Sequence, residues 1–110
     1  MKVDVDLIMA MSADLLDLLP DGWERDIYID GCKLAEEAGE VCQTLVKRSK
    51  TVDDTADELA DTIAVCAAIA LKKGIDLNEA ILRKHKERIQ KRVDFHYSGK
   101  VPEGWVPRVK

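Results

Sequence analysis

The sequence predicts an all-α fold, a four-helix bundle. Three observations carry that expectation. Apolar residues recur at spacings of three and four in four separate stretches. Capping and turn signals stand between those stretches. Aromatic residues make up only 5% of the chain, and no alternating apolar run is flanked by hairpin turns.

The first helix is expected over roughly residues 3 to 19, where Val3, Leu7, Met11, Leu15 and Leu18 form a stripe. Pro20-Asp21-Gly22 is a turn signal that ends it. The second helix ends near Ser49, with Leu34, Ala38, Val41 and Leu45 as its stripe; Gly31 inside the pattern leaves its start open. The third runs from about Val52 to Lys73, with Thr51 as N-cap, Asp54 three residues on, and Gly74 as C-cap. The fourth begins after Asp76, where Glu79 completes an Asp-x-x-Glu capping pattern, and runs to about Val93. Short connections favour antiparallel neighbours, hence a bundle. The expected organisation is a single all-α domain over residues 1–98 and an irregular C-terminal tail over 99–110.

Length and charge narrow the function. The 110 residues, 46% of them hydrophobic, suit one domain with a modest core. Seventeen basic against 21 acidic residues give a net charge of -4, which argues against nucleic-acid binding. Three cysteines, Cys32, Cys42 and Cys66, include no CxxC pair and read as free thiols in a reducing compartment. The start of the chain lacks a secretory leader's charged region and clean apolar run. The longest uncharged run, Thr62 to Leu71, is too short for a membrane span. The expectation is a cytoplasmic protein with no membrane partner.

The informative feature is acidic. AEEAGEV places Glu36, Glu37 and Glu40 within five residues of an amphipathic helix, although like charges at these spacings repel. Stepping about 100° per residue from Leu34, Glu37 falls roughly 60° from the apolar line, Glu40 about 120° and Glu36 about 160°. Glu37 therefore edges the apolar face, Glu40 lies a turn along the same flank, and Glu36 points to water. The third helix holds a second i,i+3 pair, Glu58 and Asp61, after which no charge appears until Lys72. An all-apolar helix is buried all round, so the third helix should be central and this pair should stand where it enters the core. Carboxylates there need basic partners, a raised pKa or a divalent cation. Mg²⁺ prefers oxygen ligands and often binds through carboxylates beside phosphates. Two acidic pairs on facing helices supply four ligands; they equally describe an ordinary acidic helix surface, and spacing alone does not separate the two.

Glu36-Glu37-x-x-Glu40 followed after 17 residues by Glu58-x-x-Asp61 resembles the EExxE…ExxD signature of the MazG-like nucleoside triphosphate pyrophosphohydrolases, members of the all-α NTP pyrophosphatase superfamily. KLAEEAGEV and DELADTIAV match in apolar context too, and the resemblance spans about residues 24 to 92. It implies hydrolysis of an NTP or dNTP between the α and β phosphates, giving a monophosphate and pyrophosphate. It implies Mg²⁺, with Mn²⁺ as substitute, on Glu37, Glu40, Glu58 and Asp61, and a proton acceptor that is Glu36 or Glu40. Relatives carry a basic motif on the last helix. Here Lys84, Arg88 and Lys91 share one stripe, with Arg88 where several relatives have Asn. Lys84 and Arg88, with Lys33 one turn before Glu37, are the candidate phosphate contacts. Trp23 is a candidate for stacking on a base. Relatives often form their sites in oligomers, so a homodimer or homotetramer is expected.

Two other classes compete. A di-iron or di-manganese carboxylate bundle needs Glu-x-x-His on two helices. Here Leu82 and Val93 stand three residues before His85 and His96, which argues against it. A non-enzymatic interaction or nucleotide-binding module of the same fold would not need the complete carboxylate set.

Overall fold

The computed structural model describes residues 1–108 and contains four α-helices in the order α1 (Val5–Asp17), α2 (Ile27–Val46), α3 (Val52–Lys73) and α4 (Leu77–Ser98). There is no strand among the described residues. The all-α class read from the sequence is therefore observed. Two compact units are present, Met1–Leu77 and the residues from Asn78 onward. Among the described residues, no helix is long and apolar enough to cross a membrane.

Local chemistry explains the helix ends. The Asp4 carboxylate accepts from Leu7 N–H at 2.8 Å to start α1. Asp26 accepts from Tyr28 N–H at 2.8 Å and opens α2. A cap of this kind is worth about 1 kcal/mol, enough to offset the similar cost of Gly31 inside the helix. Thr51 and Asp54 form the expected capping box, and Gly74 closes α3 in the left-handed region at φ 64°. Between α1 and α2, Trp23 N–H donates to the Pro20 carbonyl at 3.0 Å, with Gly22 at φ 80°. That turn requires a positive φ, which glycine adopts without steric cost.

In the first unit, α1 and α2 both pack on α3, which is central as expected. It is not buried all round. Val65, Ala67 and Ala70 are buried, whereas Ile63 in the same uncharged run is half exposed. The stripes are likewise rotated from the expected lines. On α1 the inward side includes Ile8, Ser12 and Leu16, while Met11, Leu15 and Leu18 are exposed. On α2 the inward face runs Asp30, Lys33, Leu34, Glu37, Glu40, Val41 and Thr44, while Ala38 and Leu45 face outward. Each helix has apolar residues on two sides, and one chain covers only one of them.

The deepest side chain is not apolar. Asp30 is fully buried and accepts from Lys72 Nζ at 2.6 Å and from Arg25 Nε. Lys72 also donates to the Arg25 carbonyl at 2.6 Å. Burial pushes the Asp30 carboxyl up, but the two hydrogen bonds and two positive charges outweigh it and hold the group below the ordinary carboxylate range. This network joins the loop before α2, the first turn of α2 and the last turn of α3. At the other end of the same seam, Thr55 Oγ1 donates to Thr44 Oγ1 at 2.9 Å. These two contacts, Asp30 with Lys72 and Thr44 with Thr55, make α2 and α3 antiparallel.

In the second unit, α4 runs five residues past the expected end at Val93 and stops before Gly99, which has φ 69°. No apolar stripe marks that extension, so periodicity alone stops short. The chain then continues without a helix to Arg108, and Trp105 packs against Phe95 and under the Arg92 guanidinium, 4.7 Å from the ring centroid. The rest of the expected tail, Val109 and Lys110, lies outside the described residues. All three cysteines are free, and Cys32 and Cys42 are exposed rather than packed.

The buried network yields a stability prediction. Lys72→Met should cost about 3 kcal/mol in urea denaturation, the lower end for breaking a buried pair, because Arg25 still faces Asp30. Replacing Asp30 and Lys72 together by Leu and Met should cost less than Lys72→Met alone. A double variant less stable than that single one would show that the charges contribute more than their desolvation removes.

Candidate metal centre

Between the two ends of the α2–α3 seam stand the acids. Glu37 and Glu40 come from the middle of α2 and Glu58 from the first half of α3, all half-buried. One carboxylate oxygen from each of Glu37, Glu40 and Glu58 lies within 4.8 Å of the other two. Thr62 Oγ1 donates to the Glu58 carbonyl at 2.8 Å, one turn along α3. Asp61 is exposed and stands outside this group of three, yet its charge still acts on Glu37 and Glu58. Glu36 points outward and pairs with Lys33 at 3.3 Å. The ranking of Glu37 and Glu40 inward and Glu36 outward thus matches their positions, although the reference stripe itself is rotated.

The electrostatics are those of a crowded site. Burial raises the Glu37 carboxyl, and repulsion from Glu40, Asp61 and Glu36 raises it further. A hydrogen bond with Glu40 is the largest cause at Glu58, followed by burial and by repulsion from Glu40, Glu37 and Asp61; together they push it up to about 7. Glu37 Oε2 and Glu58 Oε2 are buried without a hydrogen-bond partner. Buried carboxylate oxygens are normally satisfied. Two orphaned oxygens aimed into a three-glutamate cluster fit a hard divalent cation, whose ligands are oxygens and whose charge would remove the repulsion.

The remaining candidates are dispersed. Lys33 lies on α2 in the same unit as the acids. Lys84 and Arg88 are exposed on α4, in the second unit, where Lys84 Nζ binds Glu87 at 2.6 Å. Arg83, beside the stripe, also pairs with Glu79 and Glu87, and Lys84 is the member of the stripe that Glu87 balances. Such exposed pairs contribute little to stability and are screened by salt. Trp23 is exposed on the loop between α1 and α2. The buried network of Arg25, Asp30 and Lys72 and the Thr44–Thr55 pair are not among the residues that spacing along the sequence singles out. One signal was present: Asp30 and Thr44 stand seven residues either side of Glu37, so all three share a helix face. Their partners on α3 emerge only from the helix register.

The pKa directions give a pH dependence. Glu58 and Glu37 are raised, so the metal-free folded state holds protons that the unfolded chain has already released above about pH 4.5. Stability of the metal-free protein should therefore fall as pH rises from 5 to about 7. In EDTA the melting temperature should drop across that range, and Glu58→Gln should flatten the profile. A melting temperature that climbs over the same interval in the wild type, but not in Glu58→Gln, would reverse the assignment.

A family model described as phosphoribosyl-ATP pyrophosphohydrolase matches residues 26–92, more than half of the chain, from the cap of α2 through most of α4. The chain belongs to this family, which lies within the MazG-like all-α NTP pyrophosphatase superfamily, and it is a pyrophosphohydrolase acting on a nucleotide phosphoanhydride. No match was found among curated proteins or among solved structures.

Proposed function

We propose that the protein is a Mg²⁺-dependent pyrophosphohydrolase that cleaves a nucleoside triphosphate between the α and β phosphates, giving a monophosphate and pyrophosphate. The observation that carries this reading is the meeting of Glu37, Glu40 and Glu58 with two unpartnered oxygens. Glu37, Glu40 and Glu58 would hold the cation. Asp61, one turn after Glu58 and on the exposed side, completes the set where a triphosphate would arrive. When bound, Mg²⁺ neutralises phosphate charge and acidifies a water. Glu36 or Glu40 accepts the proton of the attacking water. Lys33, Lys84 and Arg88 balance the triphosphate, each able to leave an exposed acidic partner or solvent for it. Trp23 offers an exposed ring on which a base stacks.

A second reading concerns the base end of the substrate. The family description names phosphoribosyl-ATP, itself a nucleoside triphosphate with an added phosphoribosyl group. Phosphoribosyl-ATP therefore stands beside the (d)NTPs as a substrate, and both lose pyrophosphate by the same attack.

We further propose a homodimer or homotetramer. A groove of about 630 Å³ between α1 and α3 is lined by Ile8, Met11, Leu15, Ile63, Ala67 and Leu71. Leu15 and Leu18 are 64% and 81% exposed, while Val65, Ala67 and Ala70 are the buried apolar residues among those described. A second copy covering these faces supports the stability that so small a core cannot supply alone.

Three measurements check this. Incubation with each NTP and dNTP and with phosphoribosyl-ATP, in Mg²⁺, should release pyrophosphate from at least one; turnover of none would sink the reading. Glu37→Gln should abolish turnover and Mn²⁺ binding while the metal-free protein melts no lower, whereas Glu36→Gln should keep Mn²⁺ affinity within about tenfold. Light scattering at micromolar concentration should give a dimer or tetramer mass, and a monomer would contradict the assembly.

A further inference from the structure

We propose that Thr44 and Thr55 are positioning residues for the cation held by Glu40 and Glu58. The inference rests on the metal-centre reading above. Glu40 stands four residues before Thr44, and Glu58 three residues after Thr55, so the hydroxyl pair lies one helical turn from the acids. The hydrogen bond between them crosses the seam at 2.9 Å. Its direction is set by what surrounds it. Thr44, which is buried, donates its own proton to the Val41 carbonyl at 2.7 Å. Its lone pair is therefore what Thr55 meets. Thr55 has a second acceptor, the Thr51 carbonyl, only at 3.4 Å. The result is a chain from α3 through two hydroxyls to the α2 backbone, ending at the residue next to Glu40.

Two apolar side chains would fill the same space but could slide along each other. A hydrogen bond is directional and fixes axial position as well as separation. That matters here because oxygens of Glu37, Glu40 and Glu58 converge to within 4.8 Å across the same seam, so their spacing depends on the register of α2 against α3. Metal sites hold their geometry through such outer contacts. The Arg25–Asp30–Lys72 network restrains the far end of the seam, and the threonine pair restrains the end nearer Glu40 and Glu58.

The test is Mn²⁺ calorimetry at pH 8 on the full chain, well below the melting temperature of each variant. Thr55→Val keeps shape and loses the donor; it should weaken Mn²⁺ binding by on the order of tenfold. Thr55→Ser should restore affinity to within about threefold of wild type, since the hydroxyl returns. Thr44→Val removes the acceptor and gives an independent reading should Thr55→Val not fold. The double variant should bind no more weakly than the worse single, because both remove the same bond across the seam. A purely structural role would lower the melting temperature in EDTA and leave Mn²⁺ affinity unchanged in the folded variants, and that result overturns the proposal. So does Thr55→Ser binding as weakly as Thr55→Val. A wild-type protein that binds no Mn²⁺ instead overturns the metal-centre reading and this inference with it.

Discussion

The close approach of α2 and α3 along an acidic seam is the constraint on which the rest of the first unit depends. Glu37, Glu40 and Glu58 bring their oxygens to within 4.8 Å of one another, with Asp61 and Glu36 adding field from outside. At such separations like charges in a partly desolvated site repel one another. Part of this repulsion is expressed in the raised Glu58 and Glu37 carboxyls. The remainder is opposed by contacts elsewhere in the seam.

Two of those contacts are polar. A full ion network holds one end, and a two-hydroxyl chain lies toward the other. Apolar burial contributes along the same helix α3, through Val65, Ala67 and Ala70. The division follows from what each can do. Apolar contact supplies attraction without direction, whereas paired charges and hydrogen bonds specify which residue faces which. A site that must bring three glutamates to one point needs the second kind. The apolar residues left exposed on α1 and α3, among them Met11, Leu15 and Ile63, lie outside this division.

Much of this was legible in the residues. The four helices, the Thr51–Asp54 box, the Gly74 cap and the turn before Trp23 are local events, governed by groups within four residues of each other. The acids were also legible, because two i,i+3 pairs at helical spacing place four carboxylates on faces that can meet. The full length of α4 was not, since its last turn has no apolar period to mark it. The apolar stripes of α1 and α2 were read one step off. Both helices have apolar residues on more than one side, and periodicity reports the sum of those sides rather than the one a neighbour covers.

The sequence by itself therefore determined the helices, their order and the acidic pairs, because backbone capping and side-chain spacing act within single segments. Family membership was legible for the same reason, since the motif is a pattern along the chain. Only the tertiary structure decided that Asp30 meets Lys72 and Arg25, that Thr44 meets Thr55, and that Glu58 rather than Asp61 joins Glu37 and Glu40. Those pairings depend on the axial register and rotation of one helix against another. A shift of one residue turns a helix face by about 100°, and no local signal carries that information.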